Sequence, residues 1–206
     1  MTNKIIGIQG DKLDKINISS DTSIFLAHEA QQLGYKIFYY TPSNLSIIKN
    51  KTYANGVFLK FNYERKKFYK IYKKQKIDVE NLKFILIRQD PPFNSEYLIT
   101  TLILDGLKKV KVINNPTAIR NVSEKLYSKH FIKYMPNTLF SNNIVEIKKF
   151  YNQNKSIIMK PINGYGGNQI HLIKDKFNKK LITNFLNKNG HSMFQKFLKN
   201  ISKGDK

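Results

Sequence analysis

Ile157-Ile158-Met159-Lys160-Pro161-Ile162-Asn163-Gly164-Tyr165-Gly166-Gly167 is an apolar strand pattern that delivers a lysine into a glycine-rich loop. A strand holds the lysine in place, and its ammonium is a point charge suited to phosphate oxygens. Glycines without a Cβ let backbone N–H groups close over the same anion. The stretch therefore reads as a nucleotide phosphate site whose loop is a flap between two strands. A plain hairpin connection over Gly164 to Gly167 stays open as the alternative. Two phosphate fingerprints are ruled out, because no Lys-Ser or Lys-Thr follows the last glycine and no helix-opening Gly-x-Gly-x-x-Gly occurs.

Working outward, Gln169 to Ile173 reads as the second strand of that hairpin, Lys179 to Asn187 as a helix and Ser192 to Phe197 as a last strand. Upstream, Glu124 to Ile132 and Ile144 to Asn152 have helical spacing, with a short strand over Thr138 to Phe140 between them. The N-terminal half alternates strand and helix: Lys4 to Gln9, then Ser23 to Leu33 ended by Gly34, then Lys36 to Tyr40. That order predicts an α/β fold with a parallel sheet. Between Lys51 and Phe61, Asn55-Gly56 predicts a hairpin turn flanked by two short strands. Phe84 to Ile87 is a buried strand that opens into Arg88-Gln89-Asp90-Pro91-Pro92-Phe93, where two prolines impose an extended loop. Loops at that end of a parallel strand are where ligands bind. Tyr97 to Leu107 reads as a helix, Lys111 to Ile113 as a strand, and Asn114-Asn115-Pro116 as a turn into another helical segment. The organisation predicts a domain over residues 1–122 and a second over 123–206.

At 206 residues the chain has ample length for a buried core, in one large or two small domains. Hydrophobic residues make up 41% and the mean hydropathy is −0.45, values of a soluble globular protein. No apolar run reaches the ~18 residues of a membrane helix, and Ile5 to Ile8 leads into Gly10-Asp11-Lys12 without a cleavage-like segment. A cytoplasmic location with no membrane partner is the expectation. The absence of cysteine excludes disulfides, thiolate metal sites and a cysteine nucleophile. His28, His130, His171 and His191 lack metal-ligand spacing and read as surface or packing residues. The net charge of +22 attracts polyanions in general. Its lysines are nevertheless spread among asparagines and isoleucines rather than gathered in one helix or tail, which argues against a nucleic-acid partner. The densest cluster, Lys60 to Lys76, interleaves Phe61, Tyr63, Phe68, Tyr69 and Tyr72. It reads as a solvated face over a packed one, with a base-stacking platform as the other reading.

Taken together, several segments resemble the bacterial glutathione synthetase family of the ATP-grasp superfamily. They are Ile16-Asn17-Ile18 with Asp21-Thr22-Ser23, the Arg88 to Phe93 loop, Asn114-Asn115-Pro116 with Arg120, Asn121 to Leu126, the lysine and glycine loop, and Gln195-Lys196-Phe197-Leu198 leading to Gly204-Asp205-Lys206. The resemblance covers nearly the whole chain. It implies an N-terminal, Rossmann-like pre-ATP-grasp domain that binds substrate, followed by the first, α+β part of an ATP-grasp domain. It also implies a reaction in which ATP phosphorylates the cysteinyl carboxylate of γ-glutamylcysteine and glycine attacks the acyl phosphate, giving glutathione, ADP and phosphate. Such chemistry is mostly positioning and charge neutralisation, with no obligatory protein nucleophile.

By resemblance, Lys125 and Lys160 are the two phosphate lysines, and Gly164, Tyr165, Gly166 and Gly167 belong to the flap that shields the acyl phosphate. Gln195, Lys196, Phe197 and Leu198 match the hinge strand whose backbone N–H and C=O groups bond the adenine edge. Arg88 and Asp90 match the loop facing the substrate cleft, and Asp205 falls in a substrate-binding segment. Arg88 is either a carboxylate-binding fork or the partner of Asp90 in a loop-shaping ion pair. Asp21 and Ser23 are ordinary helix-start residues and weak site candidates.

The family continues beyond the point matched by Lys206, and that continuation carries its catalytic residues and its Mg²⁺ or Mn²⁺ ligands. The resemblance thus implies a fragment, inactive alone, of an enzyme that is a homo-oligomer at full length. No cluster among the 14 acidic residues suits Mg²⁺. A different ATP-grasp carboxylate–amine ligase and a non-catalytic nucleotide-binding or basic interaction module remain as alternative readings.

Overall fold

The computed structural model describes residues 4–62, 67–201 and 204. The chain forms two compact units, residues 1–121 and 122–206.

In the first unit, β1 (Ile5–Gln9), β2 (Lys36–Tyr40), β6 (Phe84–Ile87) and β7 (Lys111–Ile113) form a parallel core in the order β2-β1-β6-β7. The sheet is extended beyond β2 by antiparallel strands β3 (Leu45–Ile48), β4 (Lys51–Phe61) and β5 (Tyr69–Asp78), so it is mixed rather than parallel throughout. Alternation along the strands sends Ile6, Ile8, Ile37 and Tyr39 to one face, under Ile24 and Ala27 of α1 (Thr22–Gln32). Phe38, Tyr40, Ile85 and Ile87 go to the other face, under Leu104 of α2 (Ser95–Asp105). Burying both faces is what a parallel sheet needs. The Gln31 side chain fixes α1 to β4 by donating to the Phe61 carbonyl at 3.1 Å and accepting from its N–H at 2.8 Å. Arg120 of α3 (Pro116–Asn121) pairs with Asp105 at 2.6 Å and so joins α3 to the end of α2.

The predicted turn at Asn55-Gly56 is wrong, since both residues lie inside the continuous strand β4. The turn sits at Lys49-Asn50, with φ of 47° and 61°, and joins β3 to β4. Gly56 serves close packing instead. A Cβ there would stand 2.5 Å from the Phe38 ring and 2.6 Å from the Tyr39 carbonyl oxygen. In the lysine-rich cluster, Phe68 stacks on Phe61 and Tyr69 is half-buried, while β5 from Lys70 to Gln75 is exposed along the sheet edge. Tyr63 lies outside the described residues.

In the second unit, β8 (Thr138–Ser141), β9 (Ile157–Pro161), β10 (His171–Ile173) and β11 (Ser192–Lys196) form an antiparallel sheet in the order β10-β9-β11-β8. Helices α4 (Ile144–Asn154) and α5 (Lys179–Asn189) cover one face, where Ile147, Tyr151, Ile182 and Phe185 pack on Ile157, Met159 and Phe194. Both helices start at asparagines whose side chains accept from first-turn N–H groups, Asn143 for α4 and Asn178 for α5. The helix predicted over Glu124 to Ile132 is instead a turn followed by a 3-10 segment, Tyr127–Tyr134, interrupted at Phe131. Aromatic residues are poor helix formers, and Pro136 holds Met135 extended, so nothing propagates an α-helix there.

Candidate functional site

The sheet face of the second unit opposite α4 and α5 is built by strand alternation. Ile157, Met159 and Pro161 point into the core, which turns Ile158 and Lys160 to the other side. Lys160 Nζ donates to Gln195 Oε1 at 2.7 Å, and Gln195 Nε2 donates to Thr138 Oγ1 at 3.0 Å. Three adjacent strands thus fix one ammonium. Burial, with the Lys125 ammonium as the second cause, holds Lys160 below the ordinary lysine range. The like charge of Lys125 opposes that of Lys160, and an anion bound here would offset it.

Lys125 comes from the turn before the 3-10 segment. Its ammonium donates to the carbonyl of Gly164, tying that turn to the glycine loop. Its other ionic neighbour is Glu124 at 4.0 Å. The loop, residues 162–170, joins β9 to β10 and contains φ of 59° at Gly166 and 74° at Gly167, left-handed backbone that glycine adopts without strain. Gly164 lies against Pro161, where a Cβ would approach Cγ to 2.4 Å. Tyr165 is exposed, and its carbonyl accepts from Asn168 N–H at 3.0 Å.

At the hinge, the N–H groups of Lys196 and Phe197 are already engaged, by Asn137 O and Ser156 O respectively, each at 2.9 Å. Those two donors are not free for an adenine edge. Leu198 follows the strand and is exposed.

In the first unit, β1 and β6 lie side by side while their chain connections lead to opposite sides of the sheet, the arrangement that opens a crevice at the strands' carboxyl ends. A polar cleft of about 210 Å³ is found there, lined by Asp11, Asp21, Thr22, Ser23, Arg88 and Asp90 among others. Arg88 Nε donates to Ser23 Oγ at 3.0 Å and Nη2 to Thr22 Oγ1 at 2.6 Å. The Asp90 N–H donates to Asp11 Oδ2 at 2.8 Å. Among the described residues no ion pair joins Arg88 to Asp90, so the loop is shaped by Asp11 and by the hydroxyls opening α1. Burial, then the carboxylates of Asp11 and Asp21, raise the Asp90 carboxyl above its ordinary value against the pull of Arg88. Asp21 caps α1, accepting from Ser23 N–H at 2.6 Å and Ile24 N–H at 3.2 Å. Asp205 lies outside the described residues.

Three residues enter these clusters without having been singled out for it: Thr138, the Gln195 side chain as opposed to its backbone, and Asp11. Only Asp11 had a readable signal, as the first acidic residue after a parallel strand. Among the described residues no group of three or more His, Cys, Asp or Glu could hold a metal ion. In the second unit the described carboxylates are Glu124, beside Lys125 at 4.0 Å, Glu146, paired with Lys149 at 2.8 Å, and Asp175, which form no such group. No described helix is long and apolar enough to cross a membrane.

Solved structures with a similar fold include ATP-grasp proteins. D-cycloserine synthetase DcsG superposes with a TM-score of 0.60 at 10% identity, over 95% of this chain and 60% of that one. A RimK domain ATP-grasp protein of Sphaerobacter thermophilus gives 0.58 at 11% identity, over 94% and 64%. The fold is thus that of the ATP-grasp class. Residues 5–120 match the prokaryotic glutathione synthetase N-terminal domain and residues 124–206 its ATP-grasp domain, and the chain belongs to the prokaryotic glutathione synthetase family. The glutathione synthetase of Mesorhizobium japonicum is 34% identical over 98% of this chain and 66% of its own length. That of Buchnera aphidicola is 34% identical over 98% and 64%. The chain therefore spans about two thirds of the length of the curated relatives it matches.

Proposed function

We propose that this chain supplies the nucleotide-phosphate and dipeptide-binding parts of a glutathione synthase. The observation that carries the reading is the pair of ammonium groups at this loop, Lys125 bonded to the Gly164 carbonyl and Lys160, on the strand that leads into the loop, bonded to Gln195. In the reaction, a carboxylate oxygen of γ-glutamylcysteine takes the γ-phosphoryl group of ATP and ADP leaves. The amine of glycine then attacks the acyl carbon, loses a proton and expels phosphate as the amide forms. Lys125 and Lys160 neutralise the phosphates, and Gly164, Tyr165, Gly166 and Gly167 close over the acyl phosphate to exclude water. Family members use ATP with Mg²⁺; the described residues offer the metal no ligand set, and no step here is assigned to it.

For the base, strand alternation supports a specific choice. With the Lys196 N–H turned towards β8, the Lys196 C=O and the Leu198 N–H follow on the same edge, just past the end of β8. That pair is the acceptor and donor for adenine. Arg88 and Asp90 face the dipeptide, the guanidinium towards a carboxylate; Asp205 belongs to the same substrate role.

Calorimetric titration of the full chain tests the reading. Binding of a non-hydrolysable ATP analogue, and of γ-glutamylcysteine that weakens in Arg88→Ala, is the expected result. Equal binding of an unrelated amino acid such as D-alanine, or dipeptide affinity indifferent to Arg88, points to a different ligase. Polyanion binding that is steep in salt and unaffected by Lys160→Ala points to a basic interaction module instead.

A further inference from the structure

On the α1 face of the first sheet, a cavity of about 660 Å³ lies at the carboxyl end of β2, between the 3-10 turn Leu13–Lys15 and strands β4 and β5. Its floor is apolar and aromatic. Leu13, Val57 and Tyr69 are half-buried and pack on the core below, Tyr39 is buried, and Ile71 is exposed. Its rim is cationic, with Lys12, Lys74 and Lys76 against the single carboxylate of Asp14. Among the described residues no ion pair engages any of these three lysines. Lys76 Nζ stands instead 4.9 Å from the centre of the Tyr53 ring.

A break in the sheet aims two of these cations. β4 pairs Phe58 with Lys73 and the next residue, Leu59, with Ile71, so Tyr72 is an extra residue in β5. Such a bulge re-aims the side chains beyond it. Ile71 and Lys74, three residues apart, thereby share the face of Tyr69 and Lys76, where uninterrupted alternation would set them on opposite faces. The facing wall is held from both sides. The Tyr39 hydroxyl donates to the Asp11 carbonyl at 2.6 Å, and a Cβ on Gly10 would collide with that hydroxyl. On the far side the Asp11 carboxylate accepts from Asp90 N–H at 2.8 Å. The turn thus separates this cavity from the polar cleft that holds Arg88.

We propose that this cavity binds a small aromatic acid, with its ring on the Tyr39, Tyr69 and Ile71 floor and its phosphate or carboxylate among Lys12, Lys74 and Lys76. The volume lies within the range of small-molecule sites, ~300–1,000 Å³. An apolar floor supplies affinity, and a few charged groups at one rim fix the orientation. Neither ATP nor the dipeptide is assigned to this place, so it is a separate site on the first unit.

Fluorescence anisotropy of 1-naphthyl phosphate, titrated with the full chain, is the test; the chain has no tryptophan to obscure the probe. Saturable binding with a dissociation constant below about 1 mM is the expected result. Lys74→Gln and Lys76→Gln each weaken it about three- to fivefold, the size of one partly screened charge contact. The double variant weakens it about tenfold or more. Lys73→Gln, the same charge change on the other face of β5, leaves it unchanged. Ile71→Gln keeps the net charge and still weakens binding, by about threefold. All these side chains are exposed on a sheet edge, and circular dichroism verifies that each variant is folded. Competition by 1-naphthol or inorganic phosphate, the two halves of the probe, is at least about tenfold weaker than by unlabelled ligand. No saturable binding up to about 1 mM overturns the inference. So does binding that Lys73→Gln weakens as much as Lys74→Gln does, that Ile71→Gln leaves untouched, or that inorganic phosphate alone matches. Binding abolished by Lys160→Ala also overturns it, because the probe then sits at the second unit's lysines. None of these outcomes depends on whether the chain binds the dipeptide.

Discussion

Replacing Lys160 with alanine separates the two jobs its ammonium does in this structure. Without ligand, the group is half-buried, hydrogen-bonded to Gln195 at 2.7 Å and repelled by Lys125. Its removal takes away a desolvated cation and a like-charge contact, and leaves Gln195 Oε1 without that donor. These terms oppose one another, so unfolding stability in denaturant is expected to change little. Nucleotide binding has no such compensation. A hydrogen bond to a charged group contributes ~1.5–3 kcal/mol, which corresponds to roughly 10- to 150-fold weaker binding of an ATP analogue. Lys125→Ala is expected in the same range. The double variant should lose less than the sum, because each single removal also relieves repulsion on the remaining lysine. Calorimetry measures affinity and urea titration measures stability on the same samples. Analogue affinity unchanged within about twofold in both single variants refutes the phosphate assignment for this lysine pair.

The same site has a pH signature. The folded-state Lys160 value lies below its ordinary 10.5, so between the two the unfolded chain binds more protons and stability rises with pH. The penalty is present in full below the folded value and is relieved as pH approaches 10.5, a slope that Lys160→Met should remove from urea midpoints. Gln195→Ala leaves both Lys160 Nζ and Thr138 Oγ1 without their partner, and is expected to cost about 1–2 kcal/mol of stability in urea denaturation. Gly56→Ala forces a Cβ against the Phe38 ring and the Tyr39 carbonyl; a loss of about 1–3 kcal/mol in the same experiment is expected, and no loss would mean that β4 shifts freely. Asn143→Ala removes the α4 cap, whose side chain accepts at 2.9 Å from Val145 N–H, and should lower the melting temperature in line with a cost of ~1 kcal/mol.

What the sequence revealed depended on how local each cause was. The strands at Ile5, Lys36 and Phe84 were legible because each is a short apolar run bounded by its own turn residues. Asn55-Gly56 misled for the opposite reason. Glycine is required there by the Phe38 ring and the Tyr39 carbonyl on the neighbouring strand β2, not by a turn, and a two-residue pattern cannot distinguish the two. The true turn uses Lys49-Asn50, a weaker signal that composition hides in a chain rich in both residues. The segment after Ser123 carried helical spacing, but spacing fixes only a face, and aromatic content with Pro136 decides against propagation.

The candidate site divides along the same line. Lys160 and its glycines are one continuous stretch, so a strand-borne lysine entering a loop could be read directly. The partner that holds its ammonium is 35 residues away, on a diagonal between β9 and β11 that only the register creates. Because Lys160 pairs with Met193 and Ile158 with Gln195, a slip of one residue would turn Lys160 towards Ile147 and Ile182 and replace it with a core residue. The core residues on the far face of β9 therefore also fix the direction of the ammonium, and packing in the second unit is part of how its phosphate site is specified.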